Sequence, residues 1–327
     1  MPNQVVQCTA CNHYCRISPD KTGTCGVRLN KNGVLYLAVH SRPSAVHVDP
    51  IEKKPLYHFY PNSQIFSIGT IGCNFKCDFC QNWSLSMERP GDIEDRCQQE
   101  DELTPQQVID FCLRKKIPSI AFTYNEPTIW IEYNLDICKL AHQNNIKTVY
   151  KTNGFMSPEV RSELVKYISA INIDLKCFNE ASYIKMGGRL KEICDNIKFF
   201  FDNNITTEVT TLIIPGLNDS PEELTQIAQF LSSISTQIPW HLSAFHPDYK
   251  MKNVSRTSLT TLERAREIGK QFKLQNIYLG NVSSQFTSTI CDCGQELVNR
   301  SGYHGMVTGI RSGKCVSCGK GVYGQFD

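Results

Sequence analysis

The feature that most constrains this chain is a group of three cysteines, Cys73, Cys77 and Cys80, spaced as C-x3-C-x2-C. They directly follow a strand-like, β-branched run that ends at Ile71. A closed structural zinc site takes four ligands, and so does a conventional four-iron cluster. Three thiolates at this spacing therefore predict a four-iron cluster in which one iron stays open to a substrate or cofactor. A zinc site that takes its fourth ligand from elsewhere in the chain is the alternative.

Composition narrows the classes of function. The 327 residues carry a formal net charge of +2 without a basic block, so nucleic acid is not indicated as a partner. There is no apolar run long enough to cross a bilayer and no signal peptide, which predicts a cytoplasmic protein without a membrane partner. Sixteen cysteines in a reducing compartment are expected to bind metal or to pack in the core. Cys112, Cys138 and Cys194 lie among apolar residues in helical patterns and belong to the second group.

The rhythm of the sequence divides the chain into three segments. Residues 1–60 are rich in cysteine, proline and histidine, residues 61–285 alternate β-branched runs with amphipathic patterns, and residues 286–327 are again cysteine-rich. Repeated strand-then-helix units predict parallel strands with right-handed crossovers. We therefore expect an α/β fold, a full or partial TIM-like (β/α) barrel, in preference to an open doubly wound sheet.

Local signals predict the elements of the central segment. We expect strands at residues 65–70, 119–124, 147–152, 170–175, 207–213, 240–245 and 275–279, and helices at 105–115, 129–144, 158–169, 190–203, 221–233 and 259–272. Three helix starts combine an N-cap hydroxyl with a following proline, at Thr104, Ser157 and Ser220. Gln107 and Glu223 stand at the third helical position and predict capping boxes.

Polar residues recur at the carboxyl ends of six successive predicted strands. In order, these ends carry the cysteine triplet and then Glu126, Asn153, Asp174 with Lys176, Asn218, and His246. A barrel places its chemistry at this rim, so the pattern predicts a site there. Alternation puts Asn172, Asp174 and Lys176 on one interior face, where an unpaired charge is costly. Pairing of Asp174 with Lys176 is the purely structural interpretation.

Five of these segments resemble the radical S-adenosylmethionine (SAM) superfamily. The triplet carries an aromatic residue, Phe79, before its third cysteine, and Asn125-Glu126-Pro127 resembles the Gly-Gly-Glu-Pro segment of that family with its glycines replaced. Asp174-Leu175-Lys176 is similar to the Asp-x-Lys element of the activating enzymes of glycyl radical enzymes. Residues 151–155 and 213–219 resemble stretches of pyruvate formate-lyase activating enzyme.

This resemblance implies a reaction and its cofactors. A [4Fe-4S] cluster on Cys73, Cys77 and Cys80 would bind SAM and, with an external one-electron donor, cleave it to a 5′-deoxyadenosyl radical. Glu126, Asn153, Asp174 and Lys176 would contact SAM. The radical would abstract hydrogen from an unidentified substrate, either a glycine on a partner protein or a metabolite. Whether SAM is consumed or regenerated stays open.

The flanking segments narrow the resemblance further. Residues 49–59 and 80–83, together with the terminal cysteines, are similar to the radical SAM member of the AmmeMemoRadiSam system. That likeness implies Memo-type and related proteins as partners without identifying the substrate. A non-catalytic iron–sulfur or zinc carrier, or a scaffold for partner proteins, is the alternative from a different class.

Four cysteines near the C-terminus predict a zinc site. Cys315 and Cys318 form a C-x2-C-Gly knuckle, whereas Cys291 and Cys293 have one intervening residue where a zinc ribbon usually has two. An auxiliary iron–sulfur cluster, or no metal, is the alternative. Metal binding would supply folding energy to a segment with few large apolar residues.

Four N-terminal cysteines predict a second metal site of unspecified kind, zinc or an iron–sulfur cluster: Cys8, Cys11, Cys15 and Cys25. His13 lies among them and could replace one ligand. Among the other histidines, His58 and His246 lie in the segments that resemble the family. For each histidine, a plain hydrogen-bonded role is an equal expectation.

Overall fold

A sheet of mostly parallel strands organises the central segment in the computed structural model, which describes residues 4–87, 99–284 and 286–326. Numbered along the chain, the strands are β1 (Val6–Gln7), β2 (Arg16–Ile17), β3 (Arg28–Lys31), β4 (Val34–Leu37), β5 (Ala45–Pro50), β6 (Gln64–Gly69), β7 (Ser119–Phe122), β8 (Lys147–Thr152), β9 (Ala170–Asp174), β10 (Thr206–Ile213), β11 (Trp240–Ala244), β12 (Ile277–Gly280), β13 (Thr289–Ile290), β14 (Glu296–Ser301), β15 (His304–Val307), β16 (Ile310–Arg311) and β17 (Lys314–Cys315). The helices are Trp83–Ser86, Pro105–Lys115, Ile131–Gln143, Pro158–Leu164, Glu180–Met186, Leu190–Asp202, Pro221–Ile234 and Leu259–Gln271, with 3-10 turns at Ile51–Lys53 and Pro127–Trp130.

The main sheet runs in chain order from β5 to β12. Strands β6 to β12 are parallel, with Ile65 opposite Ser119 at the first pair, and β5 lies antiparallel to β6, with Ala45 opposite Gly69. Among the described residues β5 and β12 do not pair with each other, so the barrel is a partial one. This confirms the predicted α/β fold and its parallel strands.

An edge strand of the main sheet and a short helix are among the elements that were not predicted from the sequence. Strand β5 lies in the N-terminal segment, where no strand was predicted, although Val46 and Val48 alternate with polar residues as in a half-exposed edge strand. The short helix Glu180–Met186 starts at Asn179, whose side chain accepts the Ser182 N–H. Its seven residues are too few for the helical period to be distinguished from a loop.

Helix starts follow the predicted chemistry with one exception. Thr104 and Gln107 form both halves of a capping box, and Ser157 caps its helix through the Val160 N–H. Ser220 also caps its helix, but the predicted capping box is wrong there. The Glu223 carboxylate instead accepts the N–H of Phe178 at 2.6 Å, because that distant amide competes for it.

The core lies between the sheet and its covering helices. Trp130, Tyr133, Trp240 and Phe200 are fully buried there, and Cys112 and Cys138 pack among such residues as predicted. The C-terminal segment covers the end of the barrel that lies opposite the carboxyl ends of the strands. Its Tyr323 hydroxyl accepts the Thr207 N–H at 2.8 Å, at the start of β10. The carboxyl ends of the strands are thereby left as the open end.

Candidate active site

A cavity of about 350 Å³ opens at the carboxyl ends of the parallel strands. Every residue that the sequence assigned to the SAM site contributes to its lining: Cys73, Cys77, Cys80, Glu126, Asn153, Asp174 and Lys176. Lys151, Thr152 and Asn125 line it as well. Residues from the ends of β6 to β9 therefore converge on one space, as a (β/α) barrel rim requires.

The loop that carries the three cysteines is held by Asn125. Its Nδ2 donates to Thr70 Oγ1 at 3.0 Å and to the Gly72 carbonyl at 2.9 Å, while its Oδ1 accepts the Trp130 indole N–H at 3.3 Å. Gly72 has a φ of +82°, and a Cβ there would lie 2.6 Å from the carbonyl oxygen of Cys25. Only glycine fits this close approach, so the N-terminal segment packs directly on the cysteine loop.

The three thiols of the loop share one environment. Cys73 and Cys77 are buried and Cys80 is half-buried, and the Phe75 N–H donates to the Cys73 sulfur at 3.5 Å. Burial raises the pKa of Cys73, and it raises that of Cys77 to about 12 even though Lys176 lowers it. These thiols therefore keep their protons until a metal displaces them.

The spacing of the rim sulfurs differs from that of a zinc site. In the part of the chain that the structure describes, one group of three or more Cys, His, Asp or Glu has all its ligand atoms within 4.8 Å of one another, and it lies at the C-terminus. Tetrahedral zinc with bonds of ~2.3 Å draws its sulfurs to within ~4 Å of one another. A four-iron cluster holds its thiolates farther apart, because each binds a different iron. The rim triplet does not meet the 4.8 Å spacing of the C-terminal group.

Asp174 lies between two lysines at the wall of the cavity. Its Oδ2 accepts from Lys176 Nζ at 2.9 Å, and its Oδ1 accepts from Lys151 Nζ. Burial alone would raise the pKa of Asp174, but the two ammonium groups lower it to about 2. The expected pair of Asp174 and Lys176 is present. Lys151, which reaches Asp174 from the neighbouring strand β8, was not singled out from the sequence.

Glu126 is buried and its carboxylate has several donors from its own chain. Oε1 accepts from the Thr128 N–H at 3.0 Å and from Thr152 Oγ1 at 2.7 Å, and Oε2 accepts from the Asn153 N–H at 2.7 Å. Burial nevertheless raises the pKa of Glu126. The carboxylate thus ties the end of β7 to the end of β8 and fixes the backbone of both at the cavity wall.

Asn153 connects that wall to the cysteine loop. Its Nδ2 donates to Asn74 Oδ1 at 2.8 Å, next to Cys73, and its own Oδ1 accepts the Phe155 N–H at 3.0 Å. The amide is therefore oriented by protein contacts on both sides. It links β8 to the cysteine loop and lines the cavity at the same time.

The C-terminal cysteines form a compact quartet. The sulfurs of Cys291 and Cys318 lie 3.6 Å apart, and those of Cys293 and Cys315 lie 3.7 Å apart. Backbone N–H groups of Cys318 and Ser317 lower the pKa of the Cys315 thiol. All four sulfurs lie within 4.8 Å of one another, so the shorter Cys291–Cys293 knuckle still brings its thiols to the other pair.

His58 and His246, the two histidines favoured from the sequence, form their hydrogen bonds with groups other than the charged side chains of the cavity. His58 is buried at the closed end of the barrel, where its Nδ1 donates to the Tyr323 carbonyl and its Nε2 accepts from the Tyr278 hydroxyl, each at 2.6 Å. His246 is exposed and its Nδ1 accepts from Gln81 Nε2 at 2.9 Å. His13 donates from Nε2 to the Asn74 carbonyl at 2.9 Å. All three have the plain hydrogen-bonded contacts that were the equal expectation.

Comparison with known proteins defines the class. The radical SAM superfamily model matches residues 67–231, and the chain belongs to this superfamily. It is 35% identical to the uncharacterized protein MJ0808 of Methanocaldococcus jannaschii over 97% of this chain and 95% of that protein. The pyruvate formate-lyase-activating enzyme of Clostridium pasteurianum is 22% identical over 56% of this chain and 80% of that enzyme.

A solved structure agrees on the fold. Streptococcus suis SuiB bound to S-adenosylmethionine matches with a TM-score of 0.50 and 15% identity, covering 72% of this chain and 53% of SuiB. The chain is thus a radical SAM enzyme similar to activating enzymes, a class that implies SAM, an iron–sulfur cluster and an external electron donor. No helix among the described residues has the length and apolar character needed to cross a bilayer.

Proposed function

We propose that this chain cleaves SAM reductively and uses the resulting radical to remove hydrogen from a substrate. The observation that carries the proposal is the convergence of three thiols and a half-buried Lys–Asp–Lys set on one open cavity. A carrier or scaffold would need the thiols but would not need charged groups facing them across a cavity. SAM offers an ammonium, a carboxylate and a ribose to match such groups.

The thiols of Cys73, Cys77 and Cys80 would hold a [4Fe-4S] cluster with one open iron. When bound, the cluster and SAM together supply one-electron reductive cleavage of a carbon–sulfur bond. The spread of the sulfurs and the absence of a fourth thiol from the cavity's described lining support this ligand set. Lys176 faces the site as a cation, since Asp174 and Cys77 raise its pKa against the effect of burial.

The chain's polar residues would bind and orient SAM. Lys151 and Lys176 carry two positive charges against one on Asp174, and this excess suits the carboxylate of the methionine part. The strand end at Asn125 and Glu126 would take the amino group, because Glu126 fixes that backbone through Thr152 and Asn153. Asp174 would hold both lysines and contact the ribose or amino side.

The substrate is proposed by analogy with the similar activating enzymes. A glycine on a partner protein is one class, and a metabolite handled together with Memo-type partner proteins is the other. Incubating the reconstituted protein with such partners and a cell extract, then searching by mass spectrometry for a SAM-dependent product, distinguishes the two. A modified glycine supports the first class, and a small-molecule product supports the second.

Anaerobic reconstitution tests the reaction itself. With iron, sulfide, SAM and dithionite, the wild-type protein is expected to release 5′-deoxyadenosine and methionine. Asp174→Asn should reduce this release, whereas Asp195→Asn, which removes an exposed carboxylate paired with Lys191, should not. A fully loaded cluster that cleaves no SAM would favour the carrier interpretation.

A structural zinc ion is proposed for the C-terminal quartet. Sulfur distances of 3.6 and 3.7 Å across the quartet support zinc over an iron–sulfur cluster. The quartet adjoins a small core of its own around Leu297 and Val298. Metal analysis should find one zinc per chain, and the Cys315→Ala, Cys318→Ala variant should lose it. Iron bound by this quartet would overturn the assignment.

A further inference from the structure

Four more cysteines lie against the outer side of the rim loop. Cys8, Cys11 and Cys25 are buried and Cys15 is half-buried, and all of them line one recess with Arg28. The Cys8 N–H donates to the Cys15 carbonyl at 2.9 Å, and Cys15 Sγ lies 3.5 Å from Thr24 Oγ1, next to Cys25. These contacts hold the four cysteines around the recess.

The spacing of these sulfurs separates them from the C-terminal quartet. No three of the N-terminal thiols meet the 4.8 Å spacing that the C-terminal group satisfies, although all of them are described. A zinc ion would require sulfurs within ~4 Å of one another. A four-iron cluster accommodates the wider set and, with four thiolates, leaves no iron open.

Asn74 supplies an independent observation. Its side chain is 1% exposed, and its Oδ1 is fixed towards Asn153, whose own orientation is set by the Phe155 N–H. The other end of the amide lies on the side of Cys11. Among the described residues, Nδ2 has no acceptor within hydrogen-bonding distance. A buried donor is costly without a partner, and sulfide or metal-bound thiolate is an acceptor.

We propose that Cys8, Cys11, Cys15 and Cys25 hold a second, fully ligated [4Fe-4S] cluster, separated from the rim site by Asn74. The Asn74 amide donates to a sulfur of this cluster. Arg28, which is buried and also pairs with Glu132, offsets part of its negative charge. The Cys25–Gly72 contact makes the two sites share a wall. The cluster would therefore lie beside the rim site and not at the closed end of the barrel.

The test measures metal content and not activity. The triple variant Cys73→Ala, Cys77→Ala, Cys80→Ala is reconstituted with iron and sulfide without oxygen and analysed by iron and sulfide assays and by EPR after dithionite reduction. It should retain about four irons and four sulfides per chain. Adding Cys11→Ala and Cys25→Ala should remove them, whereas adding Cys112→Ala, a buried helical thiol outside the recess, should not.

Other outcomes overturn the proposal. A folded triple variant that binds no iron and sulfide would exclude the second cluster. So would a triple variant that binds zinc and loses it when Cys11→Ala and Cys25→Ala are added. If the triple variant does not fold, the iron content of proteins with intact rim thiols gives the same answer. Wild-type protein should hold about eight irons per chain, and the Cys11→Ala, Cys25→Ala variant should hold about four. Since the triple variant lacks the rim thiols, its result is independent of whether the protein cleaves SAM.

Discussion

The rim triplet and the C-terminal quartet use the same side chain in opposite ways. The C-terminal sulfurs are already drawn together in pairs at 3.6 and 3.7 Å, and two of the four cysteines are exposed. At the rim the three sulfurs do not meet the 4.8 Å spacing of the C-terminal group, and the cysteines line a cavity together with Asp174 and its two lysines. Four thiolates complete the coordination of a zinc ion, whereas three thiolates on a four-iron cluster would leave one iron for a ligand. The two groups therefore differ in the kind of metal site that we propose for each.

The largest expected effect comes from removing the rim thiols. Cys73→Ala, Cys77→Ala, Cys80→Ala protein should release no 5′-deoxyadenosine, because it cannot hold the cluster, and it should keep the C-terminal metal. Chromatographic assay and metal analysis check both statements. Loss of the C-terminal metal together with the activity would show that the triple substitution unfolds the protein, and would remove the contrast between the two sites.

Removing two C-terminal thiols should lower the stability of the C-terminal segment without changing the metal content of the rim. Cys315→Ala, Cys318→Ala is expected to lower the free energy of opening the C-terminal segment by several kcal/mol, since metal binding is folding energy for such a segment. Hydrogen exchange of β14 and limited proteolysis measure this opening. Iron at the rim should stay near the wild-type value; its complete loss would mean that the two sites are not independent.

Asp174→Asn should weaken SAM binding about 10- to 100-fold, a cost of ~1.4 to ~2.7 kcal/mol. The substitution leaves Lys151 and Lys176 repelling each other in a half-buried wall of the cavity. Equilibrium dialysis on cluster-loaded protein measures the affinity. Asp195→Asn is the matched control on an exposed helix, and an equal loss there would exclude a specific role for Asp174.

The smallest effect concerns pH at the closed end of the barrel. Burial lowers the pKa of His58 to about 4, so the neutral ring is the folded form and the unfolded chain binds the extra proton. Stability should therefore fall as pH drops from about 6.5 towards 4, by ~2 kcal/mol between pH 7 and pH 5. Denaturant unfolding of metal-loaded protein measures the slope, and His58→Gln should flatten it. An unchanged slope in the variant would exclude His58 as its source.

The parts of the fold that sequence reasoning predicted are those with strong local signals. Strand β8 and the helix Pro105–Lys115 begin and end at the predicted residues, because a β-branched run and a capping box mark them. The cysteine groups were equally clear from their spacing. Boundaries shifted where the signal was weak, as for the helix Pro158–Leu164, which ends before the predicted residue 169.

Contacts that depend on register could not be predicted from one sequence. Lys151 reaches Asp174 because β8 and β9 are neighbours, and the segment carrying Tyr57 and His58 is fixed because Glu208 of β10 accepts both of their N–H groups. The partners are 23 residues apart in the first case and 150 or 151 in the second, and nothing local marks the pairs. The sulfur spacing that separates the C-terminal cysteine group from the other two is likewise a property of the folded molecule.

The central claim is that the three rim thiols hold a cluster whose open iron binds SAM. Its most direct test is pulsed EPR of the reduced, reconstituted protein with SAM labelled at the methionine nitrogen and carboxylate carbon. Magnetic coupling of both labels to the cluster, lost in the Cys73→Ala, Cys77→Ala, Cys80→Ala variant, is the predicted result. A rim that carries zinc, or an iron signal that SAM leaves unchanged and uncoupled, would contradict it.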